Sequence, residues 1–135
     1  MLIAQTRRRV WTTAARRLEL AGDSYLPWTF LAHLAREKRL TQSEIATLTA
    51  QHPAGVSRLL DDLEKQGCVS RRRDPGDRRR VYVVITARGK RRFEARLPEV
   101  IEAVDQALRP LSESERRLLR DVLRKVIASG DPTGT

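Results

Sequence analysis

The sequence predicts a mainly α fold with a small β wing, a winged helix-turn-helix, and three observations carry that prediction. Two helix signatures follow one another closely, from Thr41 and from Pro53. A stretch of period two comes next and is interrupted by a turn with six arginines between residues 71 and 80. Helical periodicity returns on both sides of this centre, without internal repeats. At 135 residues the chain is long enough to bury a core of its own as one domain.

Taken in order, residues 2 to 21 are helix-compatible, with Val10, Ala14, Leu18 and Ala21 at near-helical spacing and five arginines among them. Gly22-Asp23-Ser24 ends that helix, and Asp23 or Ser24 can cap the next. There Tyr25, Leu26, Trp28, Phe30, Leu31, Leu34 and Ala35 are apolar around much of the circumference, so this helix is largely buried. Arg36-Glu37-Lys38-Arg39 closes it.

Thr41 with Glu44 three residues on is a capping box, in which the hydroxyl accepts from the Glu44 amide and the carboxylate reaches back to the Thr41 amide. Ile45 and Leu48 are expected on one side of this short helix, with Ala46 small enough for a close crossing. His52 then precedes Pro53, which suits a first helical position because its missing N–H would be unpaired there. Val56, Leu59, Leu60 and Leu63 form the buried stripe of the second helix, and Gly67 ends it. Its other face carries Gln51, His52, Ala54, Ser57, Arg58, Asp61 and Asp62. The first turns thus offer small, hydrogen-bonding groups beside a positive helix end, which suits a major groove.

Cys68 to Arg71 and Arg80 to Ile85 read as two antiparallel strands, joined through Asp74-Pro75-Gly76-Asp77, where Pro fixes one φ and Gly permits a positive one. Beyond Thr86 a helix is expected from about 87 to 108, with Phe93, Leu97, Ile101, Val104 and Leu108 as its stripe. Pro98 should kink it or divide it in two. Ser112 with Glu115 repeats the capping box, and a last helix, about 113 to 128, carries Leu118, Leu119, Val122, Leu123 and Val126. Residues 129 to 135 read as a disordered tail. The terminal stripes are too long to bury against so small a winged core.

Net charge is +10 and the sequence pI about 11.1, a balance that favours nucleic acid or an anionic surface. The charge concentrates at +4 on residues 71 to 80 and +4 on 88 to 96. Two histidines and one cysteine, without HExxH or CxxC spacing, give no metal site. No glycine-rich phosphate loop or catalytic triad is suggested, so neither enzyme activity nor a cofactor is expected. No signal peptide or membrane span is visible, which points to the cytoplasm, and Cys68 reads as a small core hydrophobe.

Ser57 is assigned to a phosphate and Arg58 to a base edge or phosphate; His52 reads first as a cap, with Gln51 and Ala54 as further candidates at the same helix start. On the wing the candidates are Arg71, Arg73, Arg78, Arg79 and Arg80, because six arginines within ten residues repel one another unless something anionic is near.

The phrases LTQSEIA, VSRLLDDLEKQG, RRRDPGDRRRVYVVIT and the closing T-A-R-G resemble the MarR family of winged-helix transcriptional regulators. The resemblance implies a winged helix-turn-helix over about 25 to 89. It also implies dimerisation helices over about 1 to 21 and 90 to 128, which pack against a second copy as an intertwined homodimer lobe. Two recognition helices would then lie about one turn of double-stranded DNA apart. It further implies that Asp77 holds the arginine that enters the minor groove, Arg78 or Arg80, with Arg79 at the tip. A small aromatic or anionic effector is implied between the lobes, with Trp11, Trp28 and His33 as its lining. The expected function is a ligand-responsive repressor on a pseudo-palindromic operator. The competing reading is a non-specific architectural DNA-binding protein, which differs in its specificity ratio.

Overall fold

A computed structural model describes residues 1 to 130. Six helices and three short strands follow in the order α1 (Leu2–Leu20), α2 (Tyr25–Arg36), β1 (Leu40–Thr41), α3 (Gln42–Thr49), α4 (Pro53–Lys65), β2 (Val69–Arg73), β3 (Val81–Ile85), α5 (Ala87–Ala107) and α6 (Glu113–Ser129). The mainly α fold with a small β wing is therefore as the sequence predicts. Ser129, placed with the disordered tail, closes α6 instead, and residues 131 to 135 lie outside the described residues.

The winged unit is built on one core. Phe30, Leu31 and Leu34 of α2 meet Ile45 of α3, Val56, Leu60 and Leu63 of α4, and Val69 and Val83 of the wing. Each such side chain taken fully out of water contributes roughly 1.5 to 3 kcal/mol, so this cluster fixes where α4 and the wing sit. Ala14 and Leu18 of α1, Trp28 of α2 and Ala103 of α5 are buried outside that cluster, with the Trp28 indole N–H donating to the Phe93 carbonyl at 3.2 Å.

Three local expectations need correcting. Leu48, expected beside Ile45, is 50% exposed, because Ala46 rather than Leu48 turns inward with Ile45. Of the two outcomes expected at Pro98, a kink or a division, division does not occur: α5 runs unbroken from Ala87 to Ala107. The proline removes only the partner of the Glu94 carbonyl, and both residues lie towards water, which can take that bond. Finally, Leu40–Thr41 forms a third strand, pairing Leu40 with Val83 and Thr41 with Tyr82, so the sheet order is β1-β3-β2.

Candidate nucleic-acid interface

The turn between α3 and α4 sets the angle of α4. Thr41 caps α3 through its hydroxyl to the Glu44 amide at 3.1 Å. Ala50 ends it in the left-handed region at φ 51, where the Gln51 amide returns to the Ala46 carbonyl at 3.0 Å. His52 then caps α4, its Nδ1 accepting from the Ala54 amide at 3.2 Å. That bond leaves the proton on Nε2, directed away from the cap.

With Val56, Leu60 and Leu63 buried, the opposite face of α4 is open. Gln51, His52, Ala54 and Arg58 are exposed and Ser57 is half-buried, so the five helix candidates share one accessible side. Gly55 lies among them, and a Cβ there would meet nothing within 4 Å.

The wing tip is folded by its own aspartates. Asp74 accepts from the Gly76 amide at 2.8 Å, and Asp77 accepts from the Arg79 amide at 3.0 Å. The Asp74 amide bonds the Arg80 carbonyl at 2.9 Å, and the Arg80 amide bonds the Asp77 carbonyl at 3.0 Å. Asp77 thus holds the backbone at Arg79, whereas a clasp on the Arg78 or Arg80 guanidinium was expected. With both carboxylates turned to amides, Arg72, Arg73, Arg78, Arg79 and Arg80 are exposed and none makes an ion pair among the described residues. Arg73 donates to the Arg78 carbonyl at 3.4 Å, and the excess of like charge that remains is relieved by water or an external anion.

Arg71 departs from that pattern. Its Nε donates to Gln42 at 3.0 Å, one terminal nitrogen pairs closely with Glu64, and the other meets Asp61 at 2.8 Å. Assigned to DNA from the sequence, Arg71 is instead engaged inside the protein. Arg39 supplies a cation that the sequence candidates did not include. Its guanidinium lies 4.1 Å over the ring of Tyr82 on β3, a cation–π contact between residues far apart in sequence that no local pattern signals.

Behind the interface, α5 is anchored at its first turn. The Thr86 hydroxyl caps the Gly89 amide at 3.1 Å and donates to the Gly67 carbonyl at 2.6 Å. Arg92 then clasps Asp23 through two bonds of 3.1 and 2.8 Å and reaches Gln66 at the end of α4 at 2.7 Å. Burial alone would raise the Asp23 pKa. The Arg92 hydrogen bonds, the Ser24 amide and the charges of Arg92 and Arg96 outweigh it and hold the carboxyl below its ordinary value. Cys68 is buried and packs in the same core, as a small hydrophobe does.

The three residues assigned to an effector differ in their surroundings. Trp28 is buried against Phe93 at 5.4 Å between ring centres, whereas Trp11 is 49% exposed on α1 and tilted against Tyr25. His33 is half-buried on α2, and burial, followed by the nearby Arg36 charge, lowers its pKa. The better-formed surface grooves are lined by other residues. Among the described residues no cluster of side chains fits a metal ion, and no helix is long and apolar enough to cross a membrane.

The sequence model of the MarR family matches residues 24 to 80. An uncharacterised HTH-type transcriptional regulator, YdgJ of Bacillus subtilis, is 36% identical over 105 residues, which are 78% of this chain and 64% of that protein. The chain therefore spans somewhat under two thirds of that relative. The crystal structure of a probable transcriptional regulator from Pseudomonas aeruginosa superposes with a TM-score of 0.74 at 30% identity, covering 93% of each chain. A mutant MarR from E. coli, complexed with operator DNA, shares the fold with a TM-score of 0.75 at 22% identity, over 93% of this chain and 90% of that one.

Proposed function

The chain belongs to the MarR family of transcriptional regulators and is not an enzyme, and from that premise we propose that it is a homodimeric repressor of a pseudo-palindromic operator. Helix α4 enters the major groove and the wing follows the flanking minor groove. The observation that carries this reading is the five wing arginines without counter-ions beside the open face of α4. An arginine-rich tip of that kind gains most against the narrow, strongly negative minor groove of A·T-rich sequence.

The dimer is supported by α6. Leu118, Val122, Leu123, Val126 and Ile127 are 46 to 69% exposed along it, a continuous apolar stripe that a single chain leaves in water. Sedimentation equilibrium should give twice the 15.4 kDa chain mass at micromolar concentration; a single-chain mass there contradicts the dimer. Seated over a promoter, such a dimer blocks polymerase without further parts.

The roles of helix and wing separate in one binding experiment. Arg79→Ala should weaken binding to operator and unrelated duplex alike and lower the salt slope by about 0.9 for each phosphate no longer neutralised. Arg58→Ala should cost about 1 to 3 kcal/mol on the operator and relax preference at one base pair. Equal, sequence-independent losses from both variants would remove the helix from base readout.

A further inference from the structure

We propose that Arg71 is a positioning residue of the DNA-binding face, which masks Asp61 and Glu64 on α4 from DNA phosphates and ties the wing to α3 and α4 without touching DNA itself. The inference rests on the operator-binding reading above. Four of the five N–H donors of the Arg71 guanidinium have partners. Nε donates to Gln42, one terminal nitrogen pairs with Glu64, and the other pairs with Asp61 and reaches the Ser57 carbonyl at 3.4 Å. A planar fork engaged in this way has no free pair of donors left for a phosphate or a guanine edge. Its side chain is 21% exposed, whereas Arg72, Arg73, Arg78, Arg79 and Arg80 on the same hairpin are exposed and make no ion pair among the described residues.

The placement of the acids gives the contact its purpose. Asp61 lies one helical turn after Ser57, and Glu64 three residues further, on the flank of α4 that looks towards β2. An open groove on the other side of Arg71 is lined by Thr41, Gln42, Glu44, Arg71, Arg79 and Arg80 among others. A DNA backbone drawn in by Arg79 and Arg80 passes along this groove. Asp61 and Glu64 do not line it but sit behind Arg71, which does; left bare, their carboxylates would add to the repulsion of phosphates passing there, and the fixed guanidinium offsets that charge. The same bonds join the first residue of α3, the C-terminal half of α4 and the third residue of β2.

Fluorescence anisotropy with the duplex upstream of the protein's own gene, across a salt series, tests this with four proteins: wild type, R71M, D61N/E64Q and R71M/D61N/E64Q. R71M should bind on the order of tenfold more weakly at low salt. The triple variant should recover to within about threefold of wild type with the same salt slope, since every phosphate bound by wild type is still bound. D61N/E64Q should bind no more weakly than about threefold below wild type. A triple variant as weak as R71M, with a slope shallower by about 0.9, would assign Arg71 a phosphate of its own and overturn the proposal. Unchanged binding by R71M would overturn it equally. Melting curves by circular dichroism accompany each protein; should R71M alone unfold, the folded triple variant still decides, by binding like wild type or failing to. If wild type itself binds no duplex, the operator reading falls first, in an arm that contains no Arg71 variant.

Discussion

Gly89 is the residue at which a single methyl group should do most damage. It is buried in the first turn of α5, and a Cβ built there would lie 2.0 Å from the Cys68 carbonyl oxygen and 2.9 Å from both the Cys68 carbonyl carbon and Ile85 Cγ1. Unbonded atoms pack at roughly 3.5 Å, so the shortfall against the carbonyl is about 1.5 Å, and the obstacle is backbone rather than a side chain that can swing aside. Moving α5 away would strain three bonds at once: Thr86 to Gly67 at 2.6 Å, the Gly89 amide to Thr86 at 3.1 Å and the Thr86 amide to Cys68 at 3.0 Å. Overpacking costs about 1 to 3 kcal/mol and each weakened bond about 0.5 to 1 more, which puts Gly89→Ala at about 3 to 5 kcal/mol destabilising. Urea denaturation followed at 222 nm, at one fixed protein concentration because a dimer's stability depends on it, reads this directly. The thermal midpoint should fall by about 10 to 15 °C. A loss under about 1 kcal/mol would refute the close approach of α5 to the start of the wing.

Gly55 makes the opposite case. With nothing within 4 Å of its absent Cβ, Gly55→Ala should stabilise α4 by about 0.5 to 1 kcal/mol in the same melt while weakening duplex binding, because the added methyl projects from the open face. A gain in stability with unchanged DNA binding would place that face away from DNA. At Asp23 the carboxylate is 4% exposed and shared by Arg92 and Arg96, so Asp23→Asn should cost about 2 to 3 kcal/mol near neutral pH. The sign with pH follows from a folded-state pKa below the ordinary 3.8: the stabilisation is full above that value and is lost as pH falls through the lower folded one. Wild type and D23N should therefore differ by a constant amount from about pH 8 to about 5 and converge below about 4; a gap that persists at low pH would show that the carboxylate's charge is not what matters.

What the sequence disclosed, and what it concealed, divides by range. Caps and turns are written within four residues of themselves, and so Thr41, Ser112 with Glu115, and the Pro53 start were legible and stand in the structure. The Ser112 box is complete in both directions, whereas Thr41 accepts from Glu44 without the return bond being formed. The buried stripe of α4 was legible for the same reason, because helical spacing is a local signal. Non-local chemistry was not. Leu40–Thr41 is two residues long, too short for any period, and becomes a strand only because β3 offers it an edge. Arg71 stands in a run of arginines that look alike in sequence; only the alternation of β2 turns it inward, towards acids contributed by another element. Asp77 was placed on an arginine side chain, and the tight tip gave it a nearer partner in the Arg79 amide. The aromatic residues were visible as core candidates by residue type alone, but not that Trp28 would donate to a carbonyl 65 residues away.

The most direct test of the central claim is the affinity of the purified protein for the duplex upstream of its own gene against a scrambled duplex of equal length, over a salt series. The account predicts a preference of about a thousand-fold or more near physiological salt, with a footprint symmetric about one centre. Equal affinities that fall together as salt rises would contradict it at that site and favour a non-specific architectural binder, and absence of binding even at low salt would contradict DNA binding altogether.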